Sequence, residues 1–262
     1  MRALSLLVVA LGLAAIAAAA GNWAFHRYLH FGSGFNSGNS APPPKLAAQP
    51  PRALHLLVIG GTSGIGLETV KAALARGHSV VAFARHPPAV PLQDPKLRYA
   101  TGDIRDADQV RAAMAGVDVV VTTVSAGNEH APVTLFSSGA MNVLAAMQQA
   151  QVRRLIAVTG IGAGDSLGHG GWYYEHVLYK GGFRAMYEDK TREERLIRAS
   201  DRDWTLVRPG YLRLAGATPD YRVAWNLAGT RWGSISREDV AQFIVAAAEG
   251  DLYPHQAVVL TH

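Results

Sequence analysis

The fold of this chain follows from residues 56–66, LLVIGGTSGIG, where an apolar run stops abruptly in a cluster of glycines. The run predicts the first strand of a parallel sheet, and the glycines predict a tight turn into a helix that starts near Gly64. Glycine permits positive φ and a close approach to the main chain, and a helix N-terminus offers unpaired N–H groups with a partial positive charge. The turn is therefore a candidate seat for a pyrophosphate.

Composition limits the possible function classes. The chain has 262 residues, 49% of them hydrophobic, which is enough for one α/β domain and an extension. It has no cysteine, and its ten histidines are scattered without ligand spacing, so neither a disulfide framework nor a metal site is expected. Residues 1–52 hold four of the 25 cationic residues and none of the 20 acidic ones. The remainder is close to neutral, which argues against a nucleic-acid partner.

An uncharged apolar stretch follows Arg2 and ends in four alanines at residues 17–20. Residues 1–22 therefore predict one N-terminal hydrophobic helix, for which two interpretations are open. The cationic start and the Ala-rich end are typical of a signal peptide cleaved near Ala20. The length of the stretch, and the aromatic residues Trp23 and Phe25 just beyond it, favour a retained membrane anchor.

Residues 23–52 are rich in Gly, Ser and Pro and predict a linker, so the folded domain is expected at residues 53–262. Strands and helices then alternate. After the first strand, strands are predicted at residues 79–84, 97–100, 117–121, 155–158, 204–207 and 257–260. Helices are predicted at residues 67–76, 106–115, 135–151, 186–200 and 237–249. This alternation indicates the α/β class, with a parallel sheet covered on both faces.

The glycines form the pattern G-x-x-x-G-x-G between a strand and a helix, as a dinucleotide-binding turn requires. An acid at the end of the second strand would bond a ribose 2′-OH and repel a 2′-phosphate. Arg85 stands there instead, and its planar guanidinium suits a phosphate. We therefore expect NADP as the cofactor, with NAD less favoured. The candidate contacts in the turn are Gly60, Thr62, Ser63, Gly64, Ile65 and Gly66.

Two further strand ends supply candidate cofactor contacts. Asp103 and Ile104 follow the third strand, where the carboxylate would accept from the adenine amino group or cap the next helix. Ser125, Ala126 and Gly127 follow the fourth strand and would pass beside the nicotinamide ribose. Their small side chains suit such a close approach.

Several segments together resemble the atypical short-chain dehydrogenases, and among them the NmrA-like and the flavin or biliverdin reductase-like NAD(P)H-binding proteins. These segments are residues 60–66, 102–103, 119–127, 153–159, 194–200, 203–210 and 235–241. The similarity extends over residues 54–261. It implies a Rossmann-like, doubly wound parallel sheet with a small C-terminal substrate region.

The resemblance also implies a catalytic Ser or Thr and a Tyr-x-x-x-Lys pair, in which lysine lowers the tyrosine pKa so that the phenol can pass a proton. Lys190 lies where that lysine would fall, but Met186 stands in the place of the tyrosine. Tyr187 shares a helix face with Lys190 and is the candidate proton donor, with simple packing as the alternative. Thr159 ends the fifth strand and is either the catalytic hydroxyl or a strand-end threonine without a catalytic role.

The sequence has all the residues expected to bind the cofactor, but it lacks part of the group expected to transfer a proton. We therefore expect an NADP-dependent oxidoreductase that passes hydride to a small planar acceptor such as a quinone, flavin or enone. A non-catalytic, membrane-tethered NADP-binding sensor or assembly factor is the alternative. NADP(H) is a cytoplasmic pool, so the domain is expected on the cytoplasmic side of the anchor, with export as the alternative. Five residues form an aromatic cluster that would be a lid over a planar substrate, or a packing or membrane-facing patch: Trp172, Tyr173, Tyr174, His176 and Tyr179.

Overall fold

The computed structural model describes residues 40–88, 90–126, 133–169, 174–214, 216–218, 220–228 and 233–262. Within these ranges the strands are β1 Ser40–Ala41, β2 His55–Ile59, β3 Ser79–Ala84, β4 Leu97–Thr101, β5 Val119–Thr122, β6 Arg154–Val158, β7 Asp203–Pro209, β8 Tyr211–Arg213, β9 Arg222–Ala224, β10 Ser234–Ser236 and β11 Gln256–Thr261. The α-helices are α1 Gly64–Ala75, α2 Ala107–Ala112, α3 Leu135–Gln149, α4 Arg184–Arg198 and α5 Arg237–Glu249. A short 3₁₀ turn spans Gly164–Ser166, and a π-helix spans Tyr174–Phe183.

Nine of these strands form one sheet in the order β1-β9-β11-β7-β6-β5-β2-β3-β4. The seven strands from β4 to β11 are parallel, whereas β9 and β1 are added antiparallel at the far edge. β8 and β10 form a separate parallel pair. The strand order reverses between β2 and β5, and ligands of doubly wound sheets bind beyond the carboxyl ends of the strands at such a point. The expected fold class is confirmed.

Two hydrophobic layers hold the helices against the sheet. One face packs Leu57, Phe83 and Leu155 against residues of α2, α3 and α4 such as Val110 and Phe136. The opposite face packs alternate strand residues against α1 and α5, as Val58 and Val121 do against Val70 and Phe243. Because successive strand residues point to opposite faces, near-continuous apolar strands are needed to fill both layers.

The longer predicted elements agree with the structure to within a few residues at either end, and α5 has the predicted bounds. The short strands β1, β8, β9 and β10 were not predicted. β1 lies inside the predicted linker, pairing Ser40 with Ala224 on β9. Arg222 also donates to the Ser40 carbonyl oxygen at 3.0 Å. The structure therefore adds residues 40–41 to the sheet, because their backbone groups complete its edge.

The predicted hydrophobic helix at residues 1–22 lies outside the described residues. Among the helices that the structure does describe, none has both the length and the apolar character needed to cross a membrane.

Candidate functional site

Neighbouring atoms pack so tightly around the turn after β2 that only glycine fits at two positions, Gly60 and Gly66. The Gly60 N–H donates to the Phe83 carbonyl oxygen at 2.8 Å, and the residue has φ of +88°. A β-carbon built at Gly60 would lie 2.8 Å from the Thr123 carbonyl oxygen, and one at Gly66 would lie 2.1 Å from the Gly60 carbonyl oxygen. The turn is therefore a compact cradle, packed too closely against Thr123 and the Gly60 carbonyl for a β-carbon at either position, as a dinucleotide-binding glycine turn requires.

The N-terminus of α1 opens from this cradle. Ser63 is the N-cap and makes no capping hydrogen bond through its side chain, and the first turn of α1 has no acidic residue. Gly64 begins the helix at a φ of +53°. Since the N–H groups at a helix start carry partial positive charge, this end of α1 suits an anionic ligand.

A cleft lies at the carboxyl ends of β2, β3, β4 and β5, with a volume of about 180 Å³. It brings together seven of the predicted contacts: Gly60, Thr62, Ser63, Arg85, Asp103, Ile104 and Ser125. Gly64, Ile65 and Gly66 lie beside it in α1, Ala126 is buried in the core, and Gly127 lies outside the described residues. Its remaining lining residues were not predicted as contacts: Ile59, Phe83, Ala84, His86, Gly102, Thr123, Val124 and Leu135.

Thr123 is the most informative of these additions. Its Oγ1 donates to the Ile59 carbonyl oxygen at 3.0 Å, and it would lie 2.5 Å from a β-carbon at Gly66. Thr123 thus joins the end of β5 to the glycine turn. It directly follows the apolar run of β5, so a hydroxyl at that strand end was the signal that could have identified it.

Three charged side chains meet at the rim of the cleft. Arg105 Nη2 lies 2.7 Å from Asp103 Oδ2, and the Arg105 N–H donates to Asp103 Oδ1 at 2.9 Å. Hydrogen bonds from Arg105, aided by the charge of exposed Arg85, lower the pKa of the Asp103 carboxyl below its usual range. Asp103 is therefore ionised and already holds Arg105, at the place where contact with an adenine amino group was predicted.

The Thr159 side chain lies beside the buried ion pair of Arg208 and Glu194. Its Oγ1 donates to Glu194 Oε1 at 2.7 Å, and Arg208 Nε donates to the same oxygen at 2.9 Å. Arg208 also binds Asp165 through Nη2. Burial alone would lower the Arg208 pKa, but the bonds to Glu194 and Asp165 raise this pKa by more than burial lowers it. The guanidinium therefore remains charged. The Thr159 hydroxyl proton is thereby engaged within the protein.

Lys190 belongs to α4, and its side chain is buried against α3. Its Nζ lies 4.1 Å from the centre of the Phe136 ring, a cation–π geometry. Burial lowers the Lys190 pKa, which the charges of Glu193, Glu194 and Asp189 oppose. Glu193 is buried as well, and burial raises its pKa to about 8.

Asp189, next to Lys190, positions one wall of the cleft. Its Oδ2 accepts from the Phe136 N–H at 2.8 Å and from the Ser137 N–H at 3.3 Å. These N–H groups belong to the first turn of α3, where Thr134 makes no side-chain cap. Leu135, the first residue of α3, lines the cleft. Asp189 therefore caps α3 from another helix and holds Leu135 in place.

Tyr187 lies near the end of β6, with its hydroxyl 3.8 Å from a β-carbon built at Gly160. Its ring contacts Tyr174 edge-on at 5.5 Å between centres. Of the predicted aromatic cluster, Tyr174, His176 and Tyr179 lie on the π-helix, and Trp172 and Tyr173 lie outside the described residues. Within the described chain, no group of three or more acidic or histidine side chains is arranged to hold a metal.

The chain matches a family model described as NAD(P)H-binding over residues 60–251. It is 30% identical over 162 residues to a 3 beta-hydroxysteroid dehydrogenase/Delta 5-->4-isomerase of Mycobacterium tuberculosis, covering 56% of this chain and 43% of that protein. It is 24% identical over 208 residues to the photosystem II assembly factor Ycf39 of Synechocystis, covering 76% of this chain and 59% of that protein. The chain thus matches about half the length of these relatives.

A solved structure gives a fuller match. ChuY from Escherichia coli O157:H7, described as an anaerobilin reductase, superposes with a TM-score of 0.64 at 26% identity. The match covers 79% of this chain and 96% of that one. The fold therefore has a counterpart in a protein of nearly the same extent as the described domain.

Proposed function

Because this chain belongs to the NAD(P)H-binding family, with an NAD(P)-binding oxidoreductase-like fold, we propose that it is an NADPH-dependent oxidoreductase that reduces a small planar acceptor. One observation carries the proposal: the glycine turn, the start of α1 and the exposed guanidinium of Arg85 surround a single cleft at the switch point of the sheet. Such a cleft suits a pyrophosphate at its centre and a second phosphate at its rim.

NADPH, when bound, supplies hydride. The backbone from Gly60 to Gly66 and the N-terminus of α1 bind the pyrophosphate, and Arg85 binds the 2′-phosphate. Ser125 and the other small residues after β5 allow the nicotinamide ribose to approach. ChuY, a protein of similar fold, is described as an anaerobilin reductase, which supports a reductase function for this chain.

The candidate residues for proton transfer are Tyr187, Lys190 and Thr159. Burial raises the Tyr187 pKa, so the phenol keeps its proton at neutral pH and acts as an acid rather than a base. Lys190 lies three residues further along the same helix face and is the candidate for contact with the ribose, for which its Nζ has to leave the Phe136 ring. Thr159, whose proton goes to Glu194, retains hydroxyl lone pairs that accept from a substrate or water.

The full-length protein tests this function in two steps. First, NADPH and NADH are titrated separately while thermal unfolding is followed, because a ligand that binds only the folded state stabilises it according to its affinity. We expect protection by NADPH at lower concentration than by NADH. Second, NADPH consumption is measured at 340 nm with menadione and with FMN as acceptors. Protection by neither nucleotide would overturn cofactor binding, and protection without turnover would overturn the reductase.

Protection by NADPH without turnover would favour the alternative, a non-catalytic NADP-binding sensor or assembly factor. Its support is the match to the assembly factor of Synechocystis, together with the engagement of Thr159 by Glu194 and of Lys190 by Phe136. Both functions are proposed with the chain held at a membrane by residues 1–22 and the domain facing the cytoplasm. Protease digestion of spheroplasts tests this topology, because degradation from outside would contradict it and indicate export.

A further inference from the structure

The ammonium group of Lys190 faces an aromatic ring instead of a hydrogen-bond acceptor. Its Nζ lies 4.1 Å from the centre of the Phe136 ring, and Lys190 is only 7% exposed. Among the residues that the structure describes, none accepts a hydrogen bond from this Nζ, and no carboxylate forms a close ion pair with it. A buried ammonium without an acceptor is costly, and its contact with the negative face of the ring offsets part of that cost.

The Phe136 ring is fixed in place beside this lysine. Asp189, the residue before Lys190, accepts from the Phe136 N–H at 2.8 Å through Oδ2. Arg192 Nη2 donates to the Val133 carbonyl oxygen at 3.0 Å, which is a second bond between α4 and the start of α3. Phe136 is also buried in the hydrophobic layer that packs α3 and α4 against the sheet. A change in the contact therefore has to come from the lysine side chain, which is long and unbranched.

The contact lies next to the wall of the cofactor cleft. Leu135, which directly precedes Phe136 in α3, lines the cleft together with Ser125 beyond the end of β5. In the proposed reaction Lys190 contacts the nicotinamide ribose, whose hydroxyl oxygens can accept from an ammonium. To make that contact, Nζ has to leave the Phe136 ring. The ring and the ribose therefore compete for the same ammonium.

We infer that Phe136 is a positioning residue that sets the affinity for the cofactor: its ring holds Lys190 in a resting position, from which the nicotinamide ribose has to withdraw the ammonium. The inference rests on the proposed function. The apparent dissociation constant is the intrinsic one divided by the fraction of molecules whose ammonium is off the ring. Weakening the attraction of the ring without changing its shape raises this fraction, and so tightens the binding of a ligand that carries the ribose.

The test replaces Phe136 with 3,4,5-trifluorophenylalanine in the full-length protein, which nearly keeps the size of the ring and makes its face less negative. Isothermal titration calorimetry compares NADPH with adenosine 2′,5′-bisphosphate, which has the adenosine half of NADPH and lacks the nicotinamide ribose. We expect the dissociation constant of NADPH to fall about fivefold and that of the bisphosphate to stay unchanged. An unchanged or higher dissociation constant for NADPH, or equal changes for both probes, would overturn the inference.

Phe243 provides the matched control. It is fully buried, belongs to α5 on the opposite face of the sheet and packs its ring against Tyr253, with 5.6 Å between the ring centres. In the described part of the chain no cation lies over its ring. The same fluorinated residue at position 243 should leave the affinities for both probes unchanged. Tighter NADPH binding there would show that fluorination acts through the core in general, against the inference.

Lys190→Met shows whether the effect passes through the ammonium. This variant should bind NADPH more weakly than the wild-type protein and bind the bisphosphate equally well, because only NADPH carries the nicotinamide ribose. In the Lys190→Met background, fluorination of Phe136 should no longer change the affinity for NADPH, since no cation remains to be released. A fivefold gain that persisted in this background would overturn the inference.

Urea unfolding without cofactor separates this inference from the proposed function. Fluorination of Phe136 should lower the urea midpoint of the otherwise wild-type protein and leave that of Lys190→Met unchanged, because only the former has a cation over the ring. Equal shifts in both backgrounds would overturn the resting position of Lys190. A wild-type protein that binds no NADPH would defeat the proposed function, and with it the role of Phe136 in affinity, whereas the urea midpoints would still decide whether the ring holds Lys190.

Discussion

The α-carbon of Gly66 approaches the carbonyl oxygen of Gly60 so closely that a β-carbon on Gly66 would lie 2.1 Å from that oxygen. Both neighbours of this position, the Gly60 carbonyl and Thr123 Oγ1, are fixed by the turn and by the bond of Thr123 to Ile59. The start of α1 is therefore tied to the ends of two strands.

Gly66→Ala should accordingly destabilise the protein by about 1–3 kcal/mol, the usual effect of overpacking, and abolish protection by NADPH. Gly216→Ala is the matched control, since no atom lies within 4 Å of a β-carbon built there. Urea unfolding with and without NADPH measures both effects. Normal NADPH protection in Gly66→Ala would show that the cradle is not the pyrophosphate site.

Arg85→Ala should weaken NADPH binding about tenfold and leave NADH binding unchanged, because only NADPH has a 2′-phosphate. Arg98→Ala removes another exposed arginine, on β4 outside the cleft, and should change neither affinity. Tryptophan fluorescence titration with each nucleotide provides the comparison. Equal losses for NADPH and NADH would assign Arg85 to a part of the cofactor that both share.

Arg208→Met should lower the free energy of unfolding by about 3–5 kcal/mol, because it leaves the carboxylate of Glu194 buried without its guanidinium. Adding Glu194→Gln should recover part of that loss, since the buried charge is then removed. Arg153→Met, which breaks an exposed pair with Asp203, serves as the control and should change stability little. If the double variant were no more stable than Arg208→Met, the buried charge would not be the cause.

Glu193 gives a dependence of stability on pH. Burial raises its pKa to about 8, so the native carboxyl keeps a proton that the unfolded one gives up near its ordinary pKa of 4.5. Between these pH values the native state binds more protons, and the free energy of unfolding falls as pH rises, by at most about 1.4 kcal/mol per pH unit. Glu193→Gln should remove this fall, so that its advantage over wild type grows from pH 5 to pH 8.

Glu188→Gln is the control for that series, because Glu188 is exposed and pairs with Arg184 at the surface. Its stability should follow the wild-type curve from pH 5 to pH 8. Parallel curves for wild type and Glu193→Gln would mean that Glu193 is ionised in the folded protein.

Features encoded by adjacent residues could be predicted from the sequence. The apolar run before Gly60 and the periodic pattern of residues 237–249 identify β2 and α5, because burial on a sheet face or a helix face imposes a local period. The glycine turn and Arg85 could be placed in one cleft, since the carboxyl ends of parallel strands meet at one edge.

Features that depend on distant partners could not be predicted in this way. The strand Ser40–Ala41 exists through its pairing with β9, 182 positions further along the chain. The engagement of Thr159 by Glu194 and the cap that Asp189 provides to α3 join residues on different elements. His86 lies in no motif with its own signal, and only the closure of the sheet brings it to the cleft.

The pairing of Ser40–Ala41 with β9 also bears on the solubility of the protein. β9 is a short strand whose outer backbone groups would otherwise be free to pair with another chain, the usual route to edge-to-edge association of sheets. Residues 40–41, which lie between the N-terminal apolar stretch and the predicted domain, thus cover the β9 edge of the sheet. A protein shortened to start at residue 53 would present the bare β9 edge, and we expect it to self-associate more readily than a protein shortened to start at residue 40, which keeps β1.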